Sequence, residues 1–205
     1  EGLDAGRKVA ILASIAYNSR VSFEDVYTEG ITKITAKDMG YAKEMGCVIK
    51  LVGMSRCDGE EIEAYVAPML IPQSHPLASV NDAYNAVFVH GDAVGDAMFF
   101  GKGAGELPTA SAVAGDLFEI ARNILHGCCG RIACTCYKHL TVRPMCRVKS
   151  RYFLRIQVED RSGVLAELAA VFARFQVSVE QVIQKKKQSE WAELVIITEE
   201  VKEGD

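Results

Sequence analysis

The sequence has no strong excess of either charge, no apolar run of membrane length and no secretory leader. Its 23 Lys and Arg stand against 27 Asp and Glu, a net charge of −4. That balance gives no electrostatic reason to expect binding to nucleic acid or to an anionic membrane surface. A membrane span needs roughly 18 consecutive apolar residues, and no stretch approaches that. The chain opens EGLDAGRK, without a basic, then apolar, then small-residue targeting pattern. It also lacks an even set of cysteines. The seven, Cys47, Cys57, Cys128, Cys129, Cys134, Cys136 and Cys146, are spread along the chain and read as reduced thiols of a cytoplasmic protein. What is present is 205 residues, 49% apolar and 24% charged. This suits a soluble globular protein of one or two domains, long enough to bury a core.

The pattern predicts a helix over 3–17, apolar on every side from Val9 onward and therefore buried. A second helix starts at Thr35 with Asp38 in its first turn and stops at Gly46. CVIKLVGMS and EIEAYVAPML read as strands of a hairpin turning at Asp58-Gly59. Two further strands turn near Gly91-Asp92, and a glycine-rich turn then opens a helix with Pro108 in its first turn. Residues 126–150 are rich in Cys and basic residues, lack periodicity and read as a linker. Beyond them YFLRIQV, GVLAELAAVFARF, VSVEQVIQ and WAELVIIT give β-α-β-β, with KKKQSE as a charged turn. A complete split β-α-β unit needs one more helix and one more strand, so the expectation is a chain cut at both ends.

Several residues are candidates for chemistry. Asp4 and Lys8 are four apart, one helical turn on one face. They are either a surface ion pair, worth tenths of a kcal/mol, or a functional pair. If the helix is buried, Lys8 at its mouth is partly desolvated, its pKa falls and proton transfer near neutral pH becomes possible. Gly101, Gly103 and Gly105 in GKGAG follow a strand and precede a helix, but Glu106 stands where a dinucleotide fingerprint needs its next glycine. A tight turn is the simpler reading. CC-x4-C-x-C at 128–136, with His126 and His139 nearby, departs from the usual C-x2-C spacing of metal sites. No metal ligand is therefore assigned. Asp92 and Asp96 flank a turn, His75 and His90 have no partner identifiable from sequence, and Lys185–Lys187 reads as a solvated turn.

In order along the chain, G-x-D-x-x-x-K at Gly2 to Lys8, TEGI at 28–31 and GDAVGDAMFFGKGAGELPTASAV at 91–113 resemble the homoserine dehydrogenase family over about residues 1–125. The resemblance implies the substrate-binding and dimerisation part of an enzyme of threonine and methionine biosynthesis. That enzyme exchanges hydride with NADP or NAD to interconvert L-homoserine and L-aspartate 4-semialdehyde. By the same resemblance Lys8 gives or takes the proton at the substrate's C4 oxygen, and Asp4 holds the substrate hydroxyl or a water beside it. Gly105, with Gly103 in the same turn, would pack against the nicotinamide end of a cofactor bound mainly by an N-terminal domain absent from these residues. YFLRIQVEDRSGVLAELAAVF resembles an ACT domain, the small module that binds amino acids. Asp160 and Gly163 then frame an effector site in which backbone N–H groups at a helix N-terminus meet a carboxylate, with threonine the first candidate. Ser162 stands where many ACT domains carry Pro.

The expected fold is α+β. A mixed or antiparallel sheet with helices packed on it occupies 1–125, the Cys-rich linker 126–150, and a truncated ferredoxin-like ACT domain of β-α-β-β order 151–205. A homo-dimer or higher homo-oligomer is expected, since the strand runs at 47–70 and 84–100 leave edges and apolar faces open. Two other readings stand beside the enzyme: an amino-acid sensor in which the first domain only dimerises, and a cysteine metal module resting on 128–136.

Overall fold

The computed structural model describes residues 1–128, 133–185 and 191–204. In chain order the elements are α1 (Leu3–Tyr17), β1 (Tyr27–Thr28), α2 (Ala36–Glu44), β2 (Cys47–Asp58), β3 (Glu61–Pro72), β4 (Tyr84–Gly91), β5 (Gly95–Lys102), α3 (Glu106–Leu125), β6 (Thr141–Val142), β7 (Lys149–Ser150), β8 (Phe153–Glu159), α4 (Val164–Arg174), β9 (Val179–Lys185), β10 (Trp191–Thr198) and β11 (Val201–Lys202). Contacts divide the chain into two units. One is Glu1–Glu29, Gly53–Ala67 and Lys138–Asp205; the other is Gly30–Val52 and Pro68–Tyr137.

In the first unit β3 is the central strand. It pairs with β2 on one edge and, in parallel, with β1 and β6 on the other. The sheet is mixed, as the α+β expectation requires. Ile62, Glu63, Ala64, Tyr65 and Val66 are consecutively buried, the mark of a strand covered on both faces. Helix α1 lays Gly6, Val9, Ala10 and Ala13 into this core, a stripe at helical spacing. Gly6 lies there because a Cβ would come 2.8 Å from the Phe23 ring and 2.9 Å from Thr28 Oγ1. The rest of α1 departs from expectation. Ile11 is 61% and Ile15 64% exposed, so the helix buries one stripe of this chain's core and leaves its other apolar face uncovered.

Glu63 is the unusual core residue. Its buried carboxylate meets Arg143 and, at 2.9 Å, Arg56. Arg143 also bonds Glu61 at 2.9 Å, and Arg147 bonds Glu61 at 2.7 Å. Arginine suits this arrangement because its planar fork serves two carboxylates at once. The arginines come from the stretch read as a linker. Its described part holds β6, a 3-10 turn over Met145–Arg147, β7 and the buried Val148. Two-residue strands carry no alternation for a sequence pattern to register.

The β-α-β-β order of the last fifty residues is observed, with sheet order β8-β10-β9 and both pairings antiparallel. Ala192 to Ile196 of central β10 are buried, and α4 turns the half-buried Val164, Leu168 and Phe172 inward at i, i+4, i+8 spacing. After β10 the chain continues into β11, which pairs with β7. At two residues, β11 is too short to leave a strand pattern in the sequence.

In the second unit α2 opens with the expected capping box. Thr35 and Asp38 exchange side-chain and backbone bonds, and Gly46 follows the helix with φ +68°. Strands β4 and β5 form a hairpin in unbroken register from Tyr84–Lys102 to Gly91–Gly95, with the Tyr84 and Phe100 rings stacked at 4.8 Å. His75 and His90 do have partners. His75 Nδ1 accepts from the Leu77 N–H and its ring lies against Phe88, while His90 Nδ1 is 2.6 Å from Asp96 Oδ1. Helix α3 has no buried residue, and Leu107, Leu117, Phe118 and Ile124 are exposed. Among the described residues no helix is long and apolar enough to cross a membrane. Cys129 and the residues following Lys185 in the charged turn lie outside the described residues.

Candidate functional site

Gly2, in the left-handed region at φ +86°, caps α1 and lets the chain enter the helix over Thr28 and Glu29. A Cβ on Gly2 would lie 3.0 Å from Thr28 Cγ2 and 3.5 Å from the Glu29 carbonyl. The start of the G-x-D-x-x-x-K segment and the Thr-Glu of TEGI, distant in sequence, are therefore in contact. On the outward side of this turn Lys8 Nζ is 2.8 Å from Asp4 Oδ2, the ion pair their spacing allows. The Lys8 side chain is 58% exposed and that of Asp4 82%. This chain does not supply the burial expected of a lysine at the mouth of a buried helix. A cationic donor and a carboxylate acceptor held side by side at an open helix end can grip a hydroxyl or carbonyl oxygen and exchange a proton with it.

The glycine turn belongs to the second unit. Gly105 has φ +122° and ψ +155°, a region open essentially to glycine alone, and it caps α3. Nothing lies closer to a Cβ there than Pro108 Cδ at 3.4 Å. Gly103 has a local reason to lack a side chain, because a Cβ would collide with Asn85. These residues fit the close approach of one flat ring to backbone. They do not fit a whole dinucleotide, since among the described residues no strand runs into G-x-G-x-x-G and a helix.

The turn after β8 forms the third candidate site. Gly163, at φ +94°, caps α4. The turn, with Val164, Gln184, Ala192 and Leu194, lines a cleft of about 210 Å³. Asp160 is exposed at its edge. Arg161, which the sequence reading passed over, bonds Glu167 at 2.7 Å and pairs with Glu159 at 3.4 Å. Its guanidinium holds the Glu167 carboxyl below the ordinary carboxylate range. Glu159, Asp160, Arg161, Ser162 and Gly163 all line the cleft, with Arg161 engaged by its two carboxylates. Gln184 reaches it from β9, and pattern gave no sign of this because the two segments meet only through the sheet. Among the described residues no group of three or more His, Cys, Asp or Glu gathers to hold a metal ion.

A β-α-β-β module with a turn-to-helix cleft is the architecture of proteins that carry an ACT domain, and residues 152–205 match the model of that domain. Residues 1–118 match the homoserine dehydrogenase model, and the chain belongs to the homoserine dehydrogenase family. Homoserine dehydrogenase of Bacillus subtilis is 40% identical over 207 residues, covering 100% of this chain and 48% of that protein. That of Mycobacterium tuberculosis is 48% identical over 192 residues, covering 90% of this chain and 43% of the relative. Among solved structures, a homoserine dehydrogenase from Thiobacillus denitrificans superposes with a TM-score of 0.89 at 38% identity, over 99% of this chain and 47% of that one. The S. aureus enzyme at pH 6.0 gives 0.67 at 32% identity, over 97% and 48%. The chain thus spans about half the length of the relatives it matches.

Proposed function

We propose that these residues are the substrate-binding, subunit-joining and effector-binding part of an NAD(P)-dependent homoserine dehydrogenase acting in the cytoplasm in threonine and methionine biosynthesis. The observation that carries this reading is the Asp4–Lys8 pair at 2.8 Å, presented at the open end of a helix seated on Thr28. In the reaction, L-homoserine and L-aspartate 4-semialdehyde differ by a hydride on C4 and a proton on its oxygen. The nicotinamide of NAD or NADP supplies or accepts the hydride when bound. Lys8 donates a proton to the C4 oxygen in reduction and takes it back in oxidation. Asp4 holds Lys8 in place at 2.8 Å and accepts from the substrate hydroxyl or a water beside it. Gly105 lets the nicotinamide end come close to backbone, and Gly103 keeps the same turn compact against Asn85.

The cleft at 160–163 takes an amino-acid effector. Its α-carboxylate meets the N–H groups at the start of α4 beyond Gly163, its ammonium meets Asp160, and the small volume favours a short side chain such as that of threonine. The exposed apolar faces of α3 and of the β4–β5 hairpin join subunits.

The test is Lys8→Ala in the full-length enzyme. The expected fall in kcat is about 100-fold or more, the usual range for a general acid–base group, with the circular dichroism spectrum unchanged. A kcat within tenfold of wild type would remove Lys8 from proton transfer. Calorimetry with threonine on the same enzyme tests the cleft, and no heat at millimolar ligand would leave it structural.

A further inference from the structure

Gly53 lies in the interior of β2 and takes no positive φ, so backbone conformation gives no reason for glycine there. A glycine inside a strand weakens it and often marks a place where another part of the chain comes close. The close element here is α1. A Cβ on Gly53 would collide with Val9 Cγ2 and lie 3.7 Å from Val66 Cγ2. Val9 has little room to turn aside. It is only 7% exposed, and a valine in a helix holds essentially one χ1 rotamer.

The same closeness recurs toward the start of the helix. A Cβ on Gly6 would come 2.8 Å from Phe23 Cε2, and one on Gly2 would come 3.4 Å from Val66 Cγ1. Phe23 is itself held. The Arg7 guanidinium lies 5.0 Å from its ring centroid, and its turn is closed by the Ser22 N–H, which donates to Asp25 Oδ2 at 2.8 Å. Val66, fully buried in β3, would meet a Cβ at Gly2 and at Gly53 alike. Helix α1 is thus pressed to its seat at Gly6 and at Val9, and Lys8 stands between the two. A lift of the helix at Val9 carries Lys8 with it. Asp4 rides on the same helix, so the 2.8 Å ion pair survives such a lift. What changes is the reach of both groups toward a substrate.

We infer that Gly53 is a positioning residue for Lys8: by leaving room for the Val9 side chain it sets how closely α1 lies on the sheet, and so where Lys8 is presented. The inference rests on the reading of Lys8 as the proton donor. A side chain at position 53 must push Val9 away by on the order of 1 Å before ordinary carbon–carbon contact of about 3.5–4.0 Å is restored. Proton transfer needs donor and acceptor within about 2.6–3.2 Å. A displacement of about 1 Å, even from a change far from the chemistry, can therefore cost on the order of 100-fold in rate.

The experiment uses the full-length enzyme with Gly53→Ala, and with Gly53→Ala combined with Val9→Ala. In the single variant kcat should fall by about tenfold or more, and the solvent deuterium isotope effect on kcat should rise, because proton transfer has become slow. In the double variant the colliding methyl groups are gone. Its kcat should return to within about threefold of wild type, with the wild-type isotope effect, because the two changes act on one contact. Its melting temperature should stay below wild type, since buried methyl groups are lost. A glycine needed for packing alone would lower the melting temperature and leave kcat and the isotope effect unmoved, and that result overturns the inference. A crystal structure of Gly53→Ala gives a readout besides activity. Helix α1 should stand on the order of 1 Å further from β2 at Lys8. Val9 turned aside with Lys8 in its original place overturns the inference. Lys8→Ala in the same assay tests the reading beneath it. A kcat within tenfold of wild type there removes Lys8 from proton transfer, and the helix position in the crystal then decides by itself whether Gly53 places α1.

Discussion

His90 and Asp96 face each other across the β4–β5 hairpin with 2.6 Å between Nδ1 and Oδ1. The bond from Asp96, then its charge, raise the imidazole above its ordinary 6.5, with Asp92 adding a smaller push. The folded pKa is the higher one, so the stabilisation is complete below the unfolded value and is lost as pH rises through the folded value. Both side chains are well exposed, which keeps the effect small. Nuclear magnetic resonance should find the His90 titration midpoint above 6.5 and should find it lowered in Asp96→Asn. A midpoint at or below 6.5 in the wild type would dismiss the pair. The pair was not legible in sequence, because it depends on the hairpin's register. The Asp4–Lys8 pair was legible, because i and i+4 on a helix are neighbours whatever surrounds them. Its exposure was not, since burial depends on what covers the second face of α1. The partners of Glu63 were equally hidden, as Arg143 lies 80 residues along the chain.

At the scale of elements, what was legible is what local chemistry writes. Helix α2 begins where Thr35 and Asp38 can bond each other's backbone, and the β2–β3 hairpin turns at Gly59, which takes φ +65°. The short strands β6, β7 and β11 were not legible. Each is two residues long, and its meaning lies in a partner far away, such as Val201 opposite Ser150. The α2 cap gives a direct prediction. Thr35 Oγ1 accepts from the Asp38 N–H and donates to Asp38 Oδ2 at 2.6 Å. Thr35→Ala removes both bonds and should cost about 1 kcal/mol, lowering the melting temperature by roughly 3 °C for a chain of this size. Thr35→Ser keeps the oxygen and should recover most of that loss. An unchanged melting temperature in Thr35→Ala would mean that α2 is held by its packing alone.

At the scale of the molecule, the second unit exposes large apolar groups along both its hairpin and its long helix. Val87, Val89, Met98, Phe99 and Phe100 on the hairpin and Leu107, Leu117, Phe118, Ile124 and Leu125 on α3 all lie open. A two-stranded hairpin is marginal alone in water, and a helix with no buried residue gains nothing from packing within its own unit. Clusters of large apolar residues this extensive mark association surfaces. In light scattering, a chain of these 205 residues should therefore show about twice its 22.4 kDa mass. Cofactor binding follows the opposite logic. Gly105 offers one backbone approach to a flat ring, and its turn, GKGAGE, lacks the last glycine of G-x-G-x-x-G that would help cradle a pyrophosphate. One contact does not offset the loss of freedom on immobilising a large flexible ligand. Fluorescence titration of the same chain with NADPH should therefore show no saturable binding, and the chain should turn over neither substrate. Phe118→Glu and Leu117→Glu together should shift the particle to the single-chain mass while leaving the α4 cleft intact. A wild-type chain that runs as a monomer, or one that binds NADPH at micromolar concentration, would contradict this division of labour between joining subunits and holding the cofactor.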